Sequence, residues 1–223
     1  MRLVGVALPA LMWASSGAAA DVSGGVGVVS DYRYRGVTLS HGRPALQGSL
    51  MIEHSSGLYG EVWTSTLERP GDPTDSEIDL SGGYEKELSE HFSIDVSGTY
   101  FAYPSASSDN YFEATAMITA TRGNALLSAG ASYVPRQRAT GHANNAYLFG
   151  AAEFAVPKTW VTLKTGIGYE RGAFDEVARG GKWDWTIGGE VALKPAKVGL
   201  SYVGSNADGG DRHALVASVF VAW

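Results

Sequence analysis

No cysteine occurs among the 223 residues. A small exported domain held together by disulfides would carry several, so this fold must close on itself in another way. Long apolar runs are also missing after residue 20, whereas a membrane-spanning helix needs about 20 such residues in succession. A chain of this kind crosses a membrane with strands or not at all. The 29 glycines argue against a helical bundle, because glycine inside a helix is costly. Basic residues are outnumbered, 17 Lys and Arg against 23 Asp and Glu, and form no stripe, which excludes nucleic acid as a partner. No linker or shift in composition divides the chain after its leader, which indicates one domain.

Site chemistry is scarce as well. There is no G-x-S-x-G, and the five histidines (His41, His54, His91, His142, His213) fall in long loops or near tight turns, with no strand pattern placing one beside a serine on the lipid-facing side. An outer-membrane lipid hydrolase would need a Ser–His pair oriented by a third polar group, so the chain is expected not to be an enzyme. Asn206-Ala207-Asp208-Gly209-Gly210-Asp211 lacks calcium-loop spacing and its distal Glu. Gly25-Val26-Gly27-Val28-Val29-Ser30 breaks the dinucleotide fingerprint at its last position and opens a strand. No cofactor or metal is expected.

At the N-terminus, Arg2, the apolar run Leu3 to Ala14 and Ala18-Ala19-Ala20 describe a secretory signal cut near Ala20. The domain is then 21–223, with the formal charge of −6 becoming about −7 when Arg2 is removed. Over this domain, stretches of about ten residues alternate apolar with small or polar side chains. They fall near 22–35, 44–54, 58–67, 77–87, 92–102, 111–121, 125–135, 145–156, 160–171, 182–193, 197–204 and 212–223. Short turns alternate with longer polar loops near 36–43, 68–76, 103–109, 136–144, 172–181 and 205–211. Alternation of period two places successive side chains on opposite sheet faces. An even count of about twelve strands, with tight turns at one end and long loops at the other, predicts an all-β fold, a single transmembrane antiparallel up-and-down β-barrel. Both termini then lie on the tight-turn, periplasmic side.

Alternation is shared with soluble ligand-binding barrels, so the aromatic positions decide which face is inside. Tyr32, Tyr34, Tyr100, Tyr133, Tyr169 and Tyr202 lie toward the long-loop ends, with Phe112, Trp183 and Trp185 at the same level. Tyr84, Phe92, Phe154 and Trp223 lie at the tight-turn end. Two aromatic rings around a band of aliphatic residues match two lipid–water interfaces, which turns the apolar face outward into outer-membrane lipid. The last strand, Leu215, Ala217, Val219 and Val221 ending in Trp223, has the form presented to barrel-insertion machinery.

Particular motifs add a family. Ser30-Asp31-Tyr32-Arg33-Tyr34-Arg35-Gly36, Pro44-Ala45-Leu46-Gln47-Gly48, Ser56-Gly57-Leu58-Tyr59 and Trp63 resemble the TorF-type porin family of small Gram-negative outer-membrane proteins. Ile78-Asp79-Leu80 with Gly83-Tyr84, and Asp184-Trp185, are similar to later parts of its pattern, while Ser40-His41 departs from the usual Gln-Ser. The resemblance implies a porin-like barrel with no known substrate.

The inward face carries Asp31, Glu53, Glu61, Asp79, Glu85, Asp95, Glu113, Glu153, Asp184 and Glu190 against Arg33, Arg35 and Lys164. So many like charges require water; these carboxylates are either simply solvated or paired in a polar interior, or they line a water-filled pore that leans toward cations. Arg33 and Arg35 facing carboxylates form either a transverse field at a constriction or an ion pair that anchors the first strand and loop. Tyr59, Trp63, Phe101, Tyr103, Tyr147 and Phe149 also face inward, as filling or as a stacking path. Twelve strands lie between filled eight-stranded barrels and wide 16-stranded porins. The expectation is a narrow passive channel for ions or small hydrophilic solutes; the alternatives are a non-conducting structural or adhesive barrel and a lipid hydrolase. Arg136 and Arg138 in one long loop are either solvated or set against lipid phosphates.

Overall fold

The computed structural model describes residues 20–68, 74–209 and 212–223. The expected leader therefore lies, Ala20 apart, outside the described residues, as do 69–73 and 210–211 within two of the long loops. The strands are β1 (Ala20–Val29), β2 (Arg33–Tyr34), β3 (Val37–Thr38), β4 (Ala45–His54), β5 (Leu58–Thr66), β6 (Ser76–Ser89) and β7 (Phe92–Ala102). They continue as β8 (Tyr111–Arg122), β9 (Ala125–Val134), β10 (Asn145–Ala155), β11 (Val161–Gly172), β12 (Lys182–Leu193), β13 (Ala196–Ser205) and β14 (His213–Ala222). β1 and β4 to β14 form one closed antiparallel barrel of twelve strands, each paired with its neighbours in chain order, and β2 and β3 pair only with each other. A 3-10 turn, Ser107–Asp109, interrupts the loop between β7 and β8.

The ring closes where β1 meets β14, from Gly25 opposite Ala222 to Val29 opposite Ser218. Gly24 and Trp223 exchange both backbone hydrogen bonds, at 3.1 and 3.0 Å, and the Trp223 indole lies against Gly24. Closure leaves the barrel without a free edge, which satisfies the backbone where no water is available.

The two faces separate as the alternation predicts. Leu215 is 69% exposed and its neighbour Val216 is 4% exposed. Among the described residues, strand carboxylates point inward, while the charged residues on the outward face are the bases Lys86, Arg122 and Arg171 near the strand ends. The apolar core lies inside the barrel at its long-loop end, around Tyr32, Leu39, Phe101, Tyr103 and Tyr111.

The first strand is shorter than the alternation suggests. It ends at Val29, and residues 31–42 fold back into the barrel as the β2–β3 hairpin. Ser30 terminates the ladder: its amide donates to the Ala217 carbonyl, and its hydroxyl accepts the Ala217 amide, both at 2.9 Å. Asp31 then gathers the hairpin, accepting from Arg33 Nε at 2.5 Å, Thr38 Oγ1 at 2.6 Å, and Ser40 Oγ and the Gly42 amide, both at 3.1 Å. The turn has left-handed backbone at Arg35 (φ 48°) and Gly36 (φ 81°), the two-residue geometry that suits tight hairpins. Tyr32 and Tyr34, expected in the outer aromatic ring, are therefore inside the barrel. Tyr32 is fully buried and donates to Glu77 Oε2 at 2.9 Å. The alternating polar–aromatic segment Asp31–Arg35 looks the same to parity whether it continues the wall or folds inward.

At the tight-turn end Gly57 has φ 92°, and a Cβ there would lie 2.1 Å from the Glu85 carbonyl oxygen. A side chain here meets both left-handed strain and backbone. Gly57→Ala is expected to lower the unfolding free energy by about 1–3 kcal/mol, measured as a shift in urea unfolding of the detergent-folded barrel.

Candidate functional site

The hairpin fills the long-loop half of the lumen and leaves a cavity of about 730 Å³ beneath it. Arg33, Tyr34, Arg35, Gly36, Glu113, Tyr147 and Asp184 line its upper end, and Glu53, Glu61, Glu85 and Asp95 its lower part. The cavity reaches the tight turns at His54, Gly57, Glu90 and His91. A second, smaller cavity of about 200 Å³ lies on the long-loop side, lined by Val37, Thr38, Glu176, Ser205, Ala207, Asp208, Gly209 and Arg212. The hairpin turn separates the two.

Alternation places the lower carboxylates. Glu85 stands directly opposite Asp95 on the β6–β7 pair, and Glu53 opposite Tyr59 on β4–β5. Like charges in direct opposition are unfavourable unless screened or solvated. The Tyr59 hydroxyl donates to Asp95 Oδ2 at 2.8 Å. Across the barrel, Lys164 Nζ lies 2.9 Å from Glu190 Oε2 and 3.6 Å from Glu153 Oε2. With Lys197 Nζ 3.8 Å from Glu190 Oε1 this side pairs two lysines with two carboxylates, whereas the β4–β7 wall offers the lower cavity carboxylates and no Lys or Arg.

Arg35 is the centre of the upper site. Its Nη2 lies 2.7 Å from both oxygens of Glu113 on β8, and its Nη1 2.6 Å from Glu170 Oε1 on β11. Glu170 also accepts from Asn145 Nδ2 at 2.8 Å, and its Oε2 lies 2.6 Å from Lys182 Nζ. The guanidinium stacks 4.0 Å from the Tyr147 ring centre and 4.7 Å from that of Tyr34. All four charged groups are buried. A planar guanidinium matches two carboxylates and an aromatic face at once, which an ammonium cannot do. Tyr147 donates to Asp184 Oδ1 at 3.1 Å, while Asp184 Oδ2 is buried with no hydrogen-bond partner.

Of the residues expected to line the lumen, Arg33, Arg35, Glu53, Glu61, Glu85, Asp95, Glu113 and Asp184 border the main cavity. Asp79, Glu153, Lys164 and Glu190 face inward but do not border it. Asp31 departs from its expected place, since it is consumed in knotting the hairpin. The arginines stand on that hairpin, not on the wall, and both are engaged in ion pairs: Arg33 with Asp31, Arg35 with Glu113 and Glu170. Expected girdle residues Tyr84, Phe92, Tyr100, Phe112, Tyr133, Phe154, Tyr202 and Trp223 are exposed on the outer face. Tyr169 and Trp185 lie there half-covered, against Trp183 at 4.8 Å and His213 at 5.6 Å.

Glu77, Asn145, Glu170 and Lys182 escaped sequence reasoning. Parity carries the signal: Glu77 lies an even number of residues from Asp79, Glu170 from Lys164 and Lys182 from Asp184. Each sits at a strand end, where the alternation gives way to loop composition.

An apolar, aromatic-rimmed outer face around a charged lumen defines a closed barrel of the outer-membrane porin type. The chain belongs to the family described as "Bacterial protein of unknown function (Gcw_chp)", whose model matches residues 14–218. No curated protein sequence matches it. Among solved structures it is similar to the KdgM porin, at 12% identity over 90% of this chain and 98% of that one, with a TM-score of 0.62. It is similarly like the KdgM porin in complex with disordered oligogalacturonate, at 10% identity over 91% and 97% of the two chains, TM-score 0.61. An outer membrane channel from Pseudomonas putida F1 aligns at 10% identity over 90% and 94%, TM-score 0.55. At these identities the likeness is one of fold.

The buried cluster makes a stability prediction. Lys182→Met leaves Glu170 short of a cation, and breaking a buried pair in this way costs about 3–5 kcal/mol. Adding Glu170→Gln to Lys182→Met is expected to recover part of that loss in a double-mutant cycle of urea unfolding. Additive losses would show that the two residues do not interact.

Proposed function

We propose that the protein is an outer-membrane channel for passive passage of ions and small hydrophilic solutes, with a preference for cations. The observation that carries this reading is the division of charge: carboxylates line a lumenal cavity of about 730 Å³, and the outer face is apolar with aromatics at both ends. Tyr84, Phe92, Phe154 and Trp223 then sit at the periplasmic interface, and Tyr100, Phe112, Tyr133, Tyr169, Trp185 and Tyr202 at the outer one. Residues 1–20 act as the cleaved export signal, and β14 with Trp223 as the segment presented to insertion machinery. The fold-level likeness to channels supports the reading, and so does the TorF-type resemblance.

Glu53, Glu61, Glu85 and Asp95 set the selectivity, since no Lys or Arg on the β4–β7 wall opposes them within the cavity. An oligogalacturonate carries repeated carboxylates and would be repelled here, so the solutes of this channel are cationic or neutral. The hairpin across the lumen favours a second reading, a structural barrel that does not conduct.

Purified protein in planar bilayers under a KCl gradient is expected to give a reversal potential on the cation side. Glu85→Gln with Asp95→Asn is expected to move that potential toward zero. An anion-side potential would refute the preference, and silence in folded protein would favour the structural barrel. Membrane embedding has its own test: Ile167→Arg, on the outward face halfway along β11, is expected to cost about 2–4 kcal/mol of stability in lipid vesicles.

A further inference from the structure

We propose that the β2–β3 hairpin is a movable gate, latched by Arg35 and seated on β13, whose release joins the two lumenal cavities into one path. The proposal rests on the channel reading above and adds its regulation.

The seam is narrow and specific. Gly36 borders the lower cavity and Val37 the upper one, while on β13 Val203 borders the lower and Ser205 the upper. At the seat, a Cβ on Gly36 would lie 2.6 Å from Ser205 Cβ and 2.7 Å from the Gly204 carbonyl oxygen. Glycine is what allows the turn to approach the wall so closely. The Gly36 turn, set against Asp184 on β12 and Gly204 and Ser205 on β13, lies between the two cavities, so its withdrawal would connect them.

The hairpin moves at its turn: Tyr32 and Leu39 hold its base in the apolar core, and the Tyr32 hydroxyl is bound to Glu77, whereas the turn at Arg35 and Gly36 is held by ion pairs. Asp31 ties its base together through Arg33, Thr38, Ser40 and Gly42, and Arg33 Nη1 donates to the Gly36 carbonyl at 3.0 Å. These bonds lie within the hairpin and survive displacement of its turn. Arg35 reaches in the other direction, to Glu113 on β8 and Glu170 on β11 of the wall. Its left-handed backbone is a conformation that favours Gly or Asn, so a long cationic side chain held there points to a task for the side chain. Asp184 Oδ2, buried and unpartnered beside the seam, marks the wall that water would reach on opening. The ion pairs of the turn are exchanged for water when it lifts, while the apolar base of the hairpin stays packed.

The absence of cysteine makes the test direct. Val37→Cys with Ser205→Cys, bridged by a short bis-methanethiosulfonate, holds the turn at its seat, and dithiothreitol releases it. In planar bilayers the bridged protein is expected to lose its conductance and regain it on reduction. Arg35→Ala is expected to raise open probability or unit conductance severalfold, with partial return in Arg35→Lys. Heat-modifiable gel mobility verifies folding, and if Arg35→Ala does not fold, the bridged pair decides alone. Equal conductance of bridged and reduced protein would overturn the gate and leave the channel reading standing. Silence of every reduced, folded form would overturn both.

Discussion

A ring of strands leaves only two surfaces on which side chains can be placed, and that constraint organises this protein. Closure at β1–β14 pairs the backbone around the wall, so polarity can be expressed only by choosing a face. Here the choice is strict. Strand carboxylates point inward and the outward charges are bases near the rims. Each inward acid then needs water, a cation or a donor, and the interior is arranged around meeting that need.

Twelve strands make the ring wider than inward side chains can fill, and the chain supplies the missing matter from its first loop. The hairpin brings apolar bulk in Tyr32 and Leu39 and charge in Arg33 and Arg35. The apolar core of the protein is thus the packing of a loop against the inner wall, not the packing of one sheet on another. Below the hairpin the lumen is unfilled, and the β4–β7 carboxylates have room for water. At the height of the turn, Glu113 and Glu170 are buried and depend on Arg35 and Lys182. The same residue type therefore serves two purposes at two heights.

Period-two alternation made most of this legible in the sequence. It located the strands, the tight turns at one end, the inward acids Glu53, Glu61, Glu85 and Asp95, and the outward aromatics from Tyr84 to Trp223. It failed at residue 30, for a reason inherent in parity. Asp31-Tyr32-Arg33-Tyr34-Arg35 alternates as well as any wall strand, and nothing in period two reports that the Ser30 hydroxyl replaces a ladder carbonyl. Glu77, Glu170 and Lys182 were legible in principle, by counting even steps from known inward residues, but their pairing was not. Ion pairs between β8, β11, β12 and a loop depend on three-dimensional height, which one-dimensional spacing does not carry.

The position of Arg35 shows how local and global demands were reconciled. A tight two-residue turn is best served by Asn-Gly or Gly-Gly, and only the second residue of this one, Gly36, follows that preference. Gly36 is bound by sterics, since Ser205 and the Gly204 carbonyl leave no space for a Cβ. Arg35 is bound by electrostatics, since Glu113 and Glu170 would otherwise be buried carboxylates lacking its guanidinium. A local cost at the turn is thereby exchanged for charge neutralisation in the wall. Because that exchange holds only while the turn is seated, the wall charges and the hairpin position form one coupled system, and whatever solvates Glu113 and Glu170 also loosens the loop that closes the lumen.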